Sequence, residues 1–202
     1  MADLISATQV KTWLSIGDTT DDTLLAVITP SVSSMVRRYC GRSFETASSG
    51  TRYFRPLSPW KCWIDDLTGV TSLATDDADD GLWSTTWAAS DFYLEPAGGV
   101  GADQETGWPY TQVCAVESRS FPTDVARPAV KIVGTFGWAA VPADVTAAAL
   151  MLAGEQYNAK SGGYDTFTTD SGFTQIRRNL VVRDLLEPYR TARASGSRFV
   201  VL

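Results

Sequence analysis

Residues 130–160 read VKIVGTFGWAAVPADVTAAALMLAGEQYNAK. The first seven alternate as a half-buried strand does, with Val130, Ile132 and Phe136 to one side. Pro142 then sits where a helix starts at little cost, and Asp144 has the sign that complements a helix N-terminus. The run over 143–160 predicts the longest helix of the chain, ended by Ser161-Gly162-Gly163. Its many alanines let a second helix, or a neighbouring subunit, come close. Nothing in the stretch is reactive, so its regular strand-to-helix joint points to architecture.

Upstream, Ser6 and Gln9 have capping-box spacing, and Val10, Trp13 and Leu14 follow at helical intervals. A second helix begins near Thr20. Asp21 and Asp22 suit its first turn, Arg37 and Arg38 its last, and Gly41 closes it. Leu24, Leu25, Ile28, Val32, Met35, Val36 and Tyr39 make its apolar stripe. Pro30 interrupts that stripe and predicts a kink or a break. From residue 51 the texture changes. TRYFR, WKCWI, GVTSLAT, DFYLE and QVCAVE are short runs of aromatic and β-branched residues between Gly, Pro and Asp clusters, the pattern of strands and hairpins. Residues 45–128 thus read as a β-rich insertion, with DDADDG and PAGGVGADQETGWP as mobile or contact loops. A polar stretch, a short helix around DLLEPYR and an ASGS link tipped with RFVVL complete the chain.

Composition narrows the function. The 202 residues hold no histidine, which removes the commonest general base and zinc ligand and excludes a Ser-His-Asp or Cys-His site. Cys40, Cys62 and Cys114 contain no C-x-x-C pair and suit reduced thiols. The start, MADLISATQ, has neither a basic nor an apolar run, so no signal peptide is expected, and no apolar run predicts a membrane span. The net charge is −6, yet residues 175–202 carry six arginines against Asp184 and Glu187, leaving −10 on the other 174 residues. An acidic body disfavours tight phosphate binding. The basic end suits an acidic protein partner or a solvated tail.

Three motifs invite chemistry. Asp76–Gly81 (DDADDG) has acids at the first and fifth positions of a calcium loop and Gly at the sixth. It has Ala78 at the third, however, and Trp87 at the twelfth, so a solvated acidic turn is the better reading. GGVG at 98–101 lacks a surrounding βα joint and reads as a turn. Asp65-Asp66 and Asp76-Asp77 are sequence neighbours, poorly placed to work as an acid–base pair. The tryptophans of the insertion raise a Trp-rich carbohydrate- or peptide-binding β module as the alternative to a structural protein, although such residues are more often core or interface. An enzyme ranks third. No cofactor or metal is expected.

Taken in order, these pieces resemble the tailed-phage head–tail connectors, the adaptor or head-completion proteins that dock under a portal. LISATQVKTWLSI with DDTLLAVITPSVSSMVRRYCGRSF resembles the family's opening helix pair, which closes on an aromatic-Cys-Gly-Arg turn and Phe44. TGVTSLAT and SDFYLEP resemble its hairpin strands. GTFGWAAVPADVTAAALMLAGEQYNAK resembles its strand ending in Gly-aromatic followed by a long helix, and LLEPYR its close. The chain departs from the pattern in an enlarged, Trp-rich middle and the extra TARASGSRFVVL tail.

The resemblance implies an α+β fold, mainly a helical bundle with a β-rich antiparallel hairpin insertion and an extended C-terminal tail. It divides a single connector domain (1–202) into a helix pair (1–44), the insertion (45–128), a strand with long and short helices (129–190) and the tail (191–202). It implies a non-enzymatic virion protein of the neck, assembled in the host cytoplasm. Its partners would be the portal protein, a stopper or tail-completion protein, and its own copies in a dodecameric ring, with genome DNA passing through the lumen without tight binding and no membrane involved. The portal-facing residues would be Tyr189, Arg190, Arg193, Arg198, Phe199, Val200, Val201 and Leu202. Trp83, Trp87 and Trp108 are the candidate contacts of the insertion loops. Taken by itself, the apolar tip beyond a flexible link suits strand addition or groove insertion as well as it suits a frayed end.

Overall fold

A computed structural model of the chain describes residues 2–101, 105–116, 118–160, 166–168, 174–176 and 179–191. They fall into two compact units: a helical one, Met1–Ser43 with Val141 onward, and a sheet, Phe44–Ala140. The architecture is α+β, with two N-terminal helices, a six-stranded antiparallel sheet inserted after them, and C-terminal helices.

The helical unit follows its caps. Helix α1 (Ala7–Leu14) starts at a full capping box, in which the Gln9 amide donates to the Ser6 hydroxyl and the Gln9 side chain accepts from the Ser6 amide. Helix α2 (Asp22–Cys40) ends at Gly41, whose φ of 68° is the left-handed closing conformation. The expected break at Pro30 is absent. Pro30 and Ala26 both lie on the exposed side of α2, so the Ala26 carbonyl that loses its donor faces water. On the inner side, Ser33 is fully buried and fully used: its hydroxyl donates to the Thr29 carbonyl at 2.8 Å and accepts the Leu4 amide at 2.9 Å.

Helix α3 (Ala143–Asn158) is the centre of this unit, with α1, α2 and the short α4 (Leu180–Leu186) packed on it. Its inner face is Val145, Ala148, Ala149, Ala153 and Gly154, and a methyl on Gly154 would meet Leu14 at 3.5 Å. The small residues thus bring helices together within one subunit. The stretch read only as polar also contains a two-stranded hairpin, Thr166–Thr168 with Thr174–Ile176.

The sheet is built around one strand. WKCWI and GVTSLAT read as two strands, yet they form a single 15-residue strand β2 (Lys61–Thr75) with β1 (Ser48–Phe54) preceding it. The halves of β2 differ in partner, and that difference gave the sequence its two-strand look. Lys61–Leu67 pairs with β5 (Tyr110–Ala115) and Leu67–Thr75 with β6 (Val130–Phe136), and register shifts bracket the change near Leu67. On the edge opposite β6, β3 (Thr85–Trp87) continues the line of β5. The full order is β1-β6-β2-β5-β4, where β4 is Phe92–Glu95. Strand β6 alternates as expected, with Val130, Ile132, Gly134 and Phe136 buried. They share a core with Phe54, Leu67, Leu73, Val113 and Phe121.

The described residues of the two loops read as mobile or contact surfaces make contacts within the sheet unit. Asp76 belongs to no solvated turn: it is 1% exposed, and its carboxylate accepts the amides of Asp80 (3.1 Å) and Gly81 (2.7 Å). Its own amide donates to Ala129 at the start of β6. Asp79 reaches out to the Ala126 amide and the Arg127 guanidinium, and these donors hold its carboxyl below the usual range. The second loop closes on Trp108. The Trp108 amide donates to Gly99, Gly101 donates to Glu105, and a side chain at Gly101 would collide with the Trp108 ring.

Removing a buried carboxylate that holds two amides leaves both without a protein acceptor, so Asp76→Ala should cost about 2 kcal/mol. Asp77→Asn and Asp80→Asn, whose side chains are exposed, should stay within about 0.5 kcal/mol. Six of the seven tryptophans lie in the sheet unit, so urea unfolding followed by fluorescence measures the difference. Glycine makes a second contrast. A methyl on Gly134 would run into the Gly69 carbonyl and Leu67, whereas one on Gly50, opposite it on β1, meets open space. Gly134→Ala should therefore destabilise by about 1–3 kcal/mol by overpacking, with Gly50→Ala close to neutral in the same assay.

Candidate partner-binding region

The end of the described chain is tied to α2. Asn179 caps α4 by accepting the Val182 amide at 3.1 Å. A 3-10 turn, Glu187–Tyr189, follows and brings Glu187 under Tyr39, whose hydroxyl donates to its carboxylate at 2.9 Å. Burial first, and this carboxylate second, push the Tyr39 phenol up from its ordinary value. Arg190 lies over the Tyr39 ring at 5.0 Å and pairs with Glu187 at 3.1 Å. The Arg42 guanidinium donates to the Tyr189 carbonyl at 2.8 Å, and the Thr191 amide donates to the Cys40 carbonyl at 2.9 Å. That last bond satisfies a carbonyl at the C-terminal end of α2, where helices leave acceptors open. Cys40 beneath is fully buried, and desolvation pushes its thiol up to about 12.

Of the residues expected to face a portal, Tyr189 is buried and Arg190 is half-buried in this cluster. Both are tied to the C-terminal end of α2 and to Glu187. Arg193, Arg198, Phe199, Val200, Val201 and Leu202 lie outside the described residues. Sequence reading named Tyr189 and Arg190 as portal-facing and did not foresee their contacts with Tyr39, Arg42 and Glu187. Glu187 and Arg190 are an i,i+3 pair, but the contacts of Glu187 with Tyr39 and of Tyr189 with Arg42 span 148 and 147 residues, and no local pattern announces them.

The tryptophans divide. Trp87 is 5% exposed, stacked on Phe121 with centroids 4.6 Å apart, and its indole donates to Thr75 at 3.1 Å. Trp108 is 9% exposed and meets Trp138 edge-on at 5.4 Å. Both rings lie in the interior of the sheet unit. Trp83 is half-buried against Tyr53, with Lys131 over its face at 5.8 Å. The most exposed of these rings is Trp60, at 54%, beside exposed Leu57 in the turn before β2. Trp87 and Trp108 therefore offer no exposed ring face, while Trp83 and Tyr53 form a partly exposed pair.

Nor do reactive groups converge. Among the described residues no three His, Cys, Asp or Glu side chains are placed to hold a metal ion, and no helix is long and apolar enough to cross a membrane. A shallow groove of about 320 Å³ is lined by Thr75, Asp77, Thr85, Trp87 and the 118–122 segment. Its charged groups are already occupied: Asp77 accepts the Thr85 hydroxyl at 2.6 Å, and Arg119 pairs with Asp91 at 3.0 Å.

No family model matches the chain, and no curated protein matches it by sequence. Solved structures do resemble it. One is a chain in the neck of the empty GTA particle computed with C6 symmetry, 19% identical, TM-score 0.54, aligned over 96% of this chain and 93% of that one. Another is a chain in the neck of the native GTA particle computed with C12 symmetry, 18% identical, TM-score 0.51, aligned over 98% of both. At such identities the likeness is one of fold, and it runs from end to end.

Proposed function

We propose that the chain is a structural protein of a virion neck, a head–tail adaptor that docks as a ring on the portal and joins it to the tail. The observation that carries this reading is the end-to-end likeness to chains of GTA particle necks, which takes in the helical unit and the inserted sheet together. Particles with sixfold or twelvefold symmetry are built from repeated copies, and head-to-tail contacts close such rings. The absence of converging reactive groups among the described residues fits a role in assembly.

Charge supports the conduit part of the reading. The sheet unit holds six basic and thirteen acidic residues, net −7, and the rest of the chain is +1. Like charge keeps DNA moving past a wall. The partners of the reading are the portal, a stopper or tail-completion protein, and further copies of the chain. The portal-facing element is the C-terminal end, with Tyr189 and Arg190 as its anchor and Arg193, Arg198 and the Phe199–Leu202 tip beyond.

Mixing the chain with portal rings of its own phage should add a disc of density on one face in negative stain. Deleting residues 192–202, which keeps the Thr191–Cys40 bond, should leave circular dichroism and melting unchanged and weaken docking by more than about tenfold, roughly 1.4 kcal/mol. Changing Arg193 and Arg198 to Ala should mainly slow association and steepen its salt dependence. An intact chain that leaves portals bare would overturn the adaptor reading. A truncated chain that docks as well as the full one would move the docking surface elsewhere.

A further inference from the structure

The sheet is open, and its two outer strands are unlike. Among the described residues, the backbone hydrogen bonds of β1 go to β6 and those of β4 to β5, with none on the outer edge of either strand. In an antiparallel pair every second N–H and C=O of the end strand points away from its partner. Such an edge is a template for another strand, and proteins usually blunt it with proline, a bulge or a guarding charge. Strand β1 has none of these over seven residues. Its one charged residue, Arg52, folds over the Phe136 ring at 4.4 Å and pairs with Asp65. Strand β4 is shorter and is bounded by Glu95 and Pro96, but Phe92, Tyr93 and Leu94 stand in succession before them, with Tyr93 half exposed.

The sign of charge differs between the edges. Residues 46–56 contain Arg52 and Arg55 and no acid, while 88–98 contain Asp91 and Glu95 and no base. Arg52 with Asp65 and Glu95 with Lys61 are partly exposed, weak pairs, whereas Asp91 is held by Arg119 and the Ala88 amide and Arg55 donates to the Ala126 carbonyl. Pairing β1 with β1 would set arginines against arginines, and β4 with β4 would set acids against acids; like charges facing across strands are unfavourable. Pairing β1 with β4 opposes unlike charges. The chain direction agrees. Every neighbouring pair in β1-β6-β2-β5-β4 is antiparallel, so β1 and β4 run the same way. A second copy in the same orientation presents its β4 parallel to β1.

From this we infer that copies of the chain join sheet edge to sheet edge, the β4 strand of one adding to the β1 strand of the next. It rests on the ring reading above and names the contact that closes the ring. The contact is heterologous, since each copy offers one edge of each kind, and it repeats around an axis. Only about four residues of β4 are available, so the contact is weak between free chains and is gathered by a template.

The test uses the full chain on its portal. Thr51 and Tyr93 lie on the outer edges, so Thr51→Cys and Tyr93→Cys together place a thiol on each. The three native cysteines are buried. Cys114 contacts the Tyr93 hydroxyl, so Cys114→Ser is added to every variant. A short bismaleimide should convert the double variant into a ladder of covalent multimers, while either single variant yields about a tenth of that product or less. Glu95→Arg should weaken ring formation, and adding Arg55→Glu should restore it. Dimers from Thr51→Cys alone would show the edges pairing like with like and overturn the inference. So would a double variant that links to portal subunits instead of to itself. Rings visible in negative stain without a ladder would sink the edge contact and leave the adaptor reading standing. Bare portals under the unmodified chain would remove both.

Discussion

The clasp at Gly137 and Trp138 is the constraint on which the sheet depends. Phe44–Ala47 enters the sheet unit and 137–138 leaves it, and the two ends are stitched: Trp138 donates its amide to Glu45 at 2.7 Å and accepts the Ala47 amide at 2.9 Å. Its indole N–H donates to Asp66 at 2.7 Å, and its ring packs between Phe44 and Trp108 at 5.4 Å from each. Gly137 makes the approach possible. Its φ is +125°, and a Cβ there would lie 2.6 Å from the Glu45 carbonyl. No other residue type fits both the angle and the gap. Closing a loop of this length costs entropy that grows only slowly with length. Once the ends are clasped, the excursion between them can be long, and the Gly-Trp that follows β6 is where one tight contact fixes both ends.

Inside the clasp, polar side chains serve the fold. Asp76 holds a loop, Asp66 receives the Trp138 indole, Thr75 receives the Trp87 indole and Asp79 joins the loop to Ala126 and Arg127. A run such as DDADDG looks like a ligand set because carboxylates in a turn are what a cation wants. Here Asp76, Asp79 and Asp80 accept backbone amides, and Asp77 accepts the Thr85 hydroxyl. Acidic residues of the sheet thus have two tasks: some pin loops, and those left on the surface give the unit its sign.

Elements set by local chemistry could be read from the sequence. Ser6 and Gln9 cap α1, Gly41 closes α2, and the alternation of Val130, Ile132 and Phe136 is that of β6, because each depends on neighbours within a few residues. What escaped was decided at a distance. The continuity of β2 depends on β5 and β6 taking over from one another at Leu67. The burial of Trp87 and Trp108 depends on Phe121 and Trp138, and the tie between Glu187 and Tyr39 on helices far apart in the chain. Of the kink or break read at Pro30, the break does not occur, because the carbonyl that loses its donor lies on the side of the helix that meets water. For the partner-binding region the sequence pointed to Tyr189 and Arg190, and packing ties them to the C-terminal end of α2 and to Glu187.

Charge and hydrogen bonding act in opposite directions on the proposed ring. Sheet units of −7 repel one another, and this repulsion weakens as salt screens it over about 10 Å at 0.1 M. Edge-to-edge hydrogen bonds between strands are short-ranged and nearly indifferent to salt, but four residues of pairing supply little against the loss of free motion on association. Residues 175–202 have the opposite sign, which in the proposed docking would favour an acidic partner. In the proposed assembly, docking through that end would raise the local concentration of neighbouring edges, and a contact too weak in free solution would become effectively intramolecular. An open sheet with two unlike edges is therefore compatible with a chain that remains unassociated until a template gathers its copies.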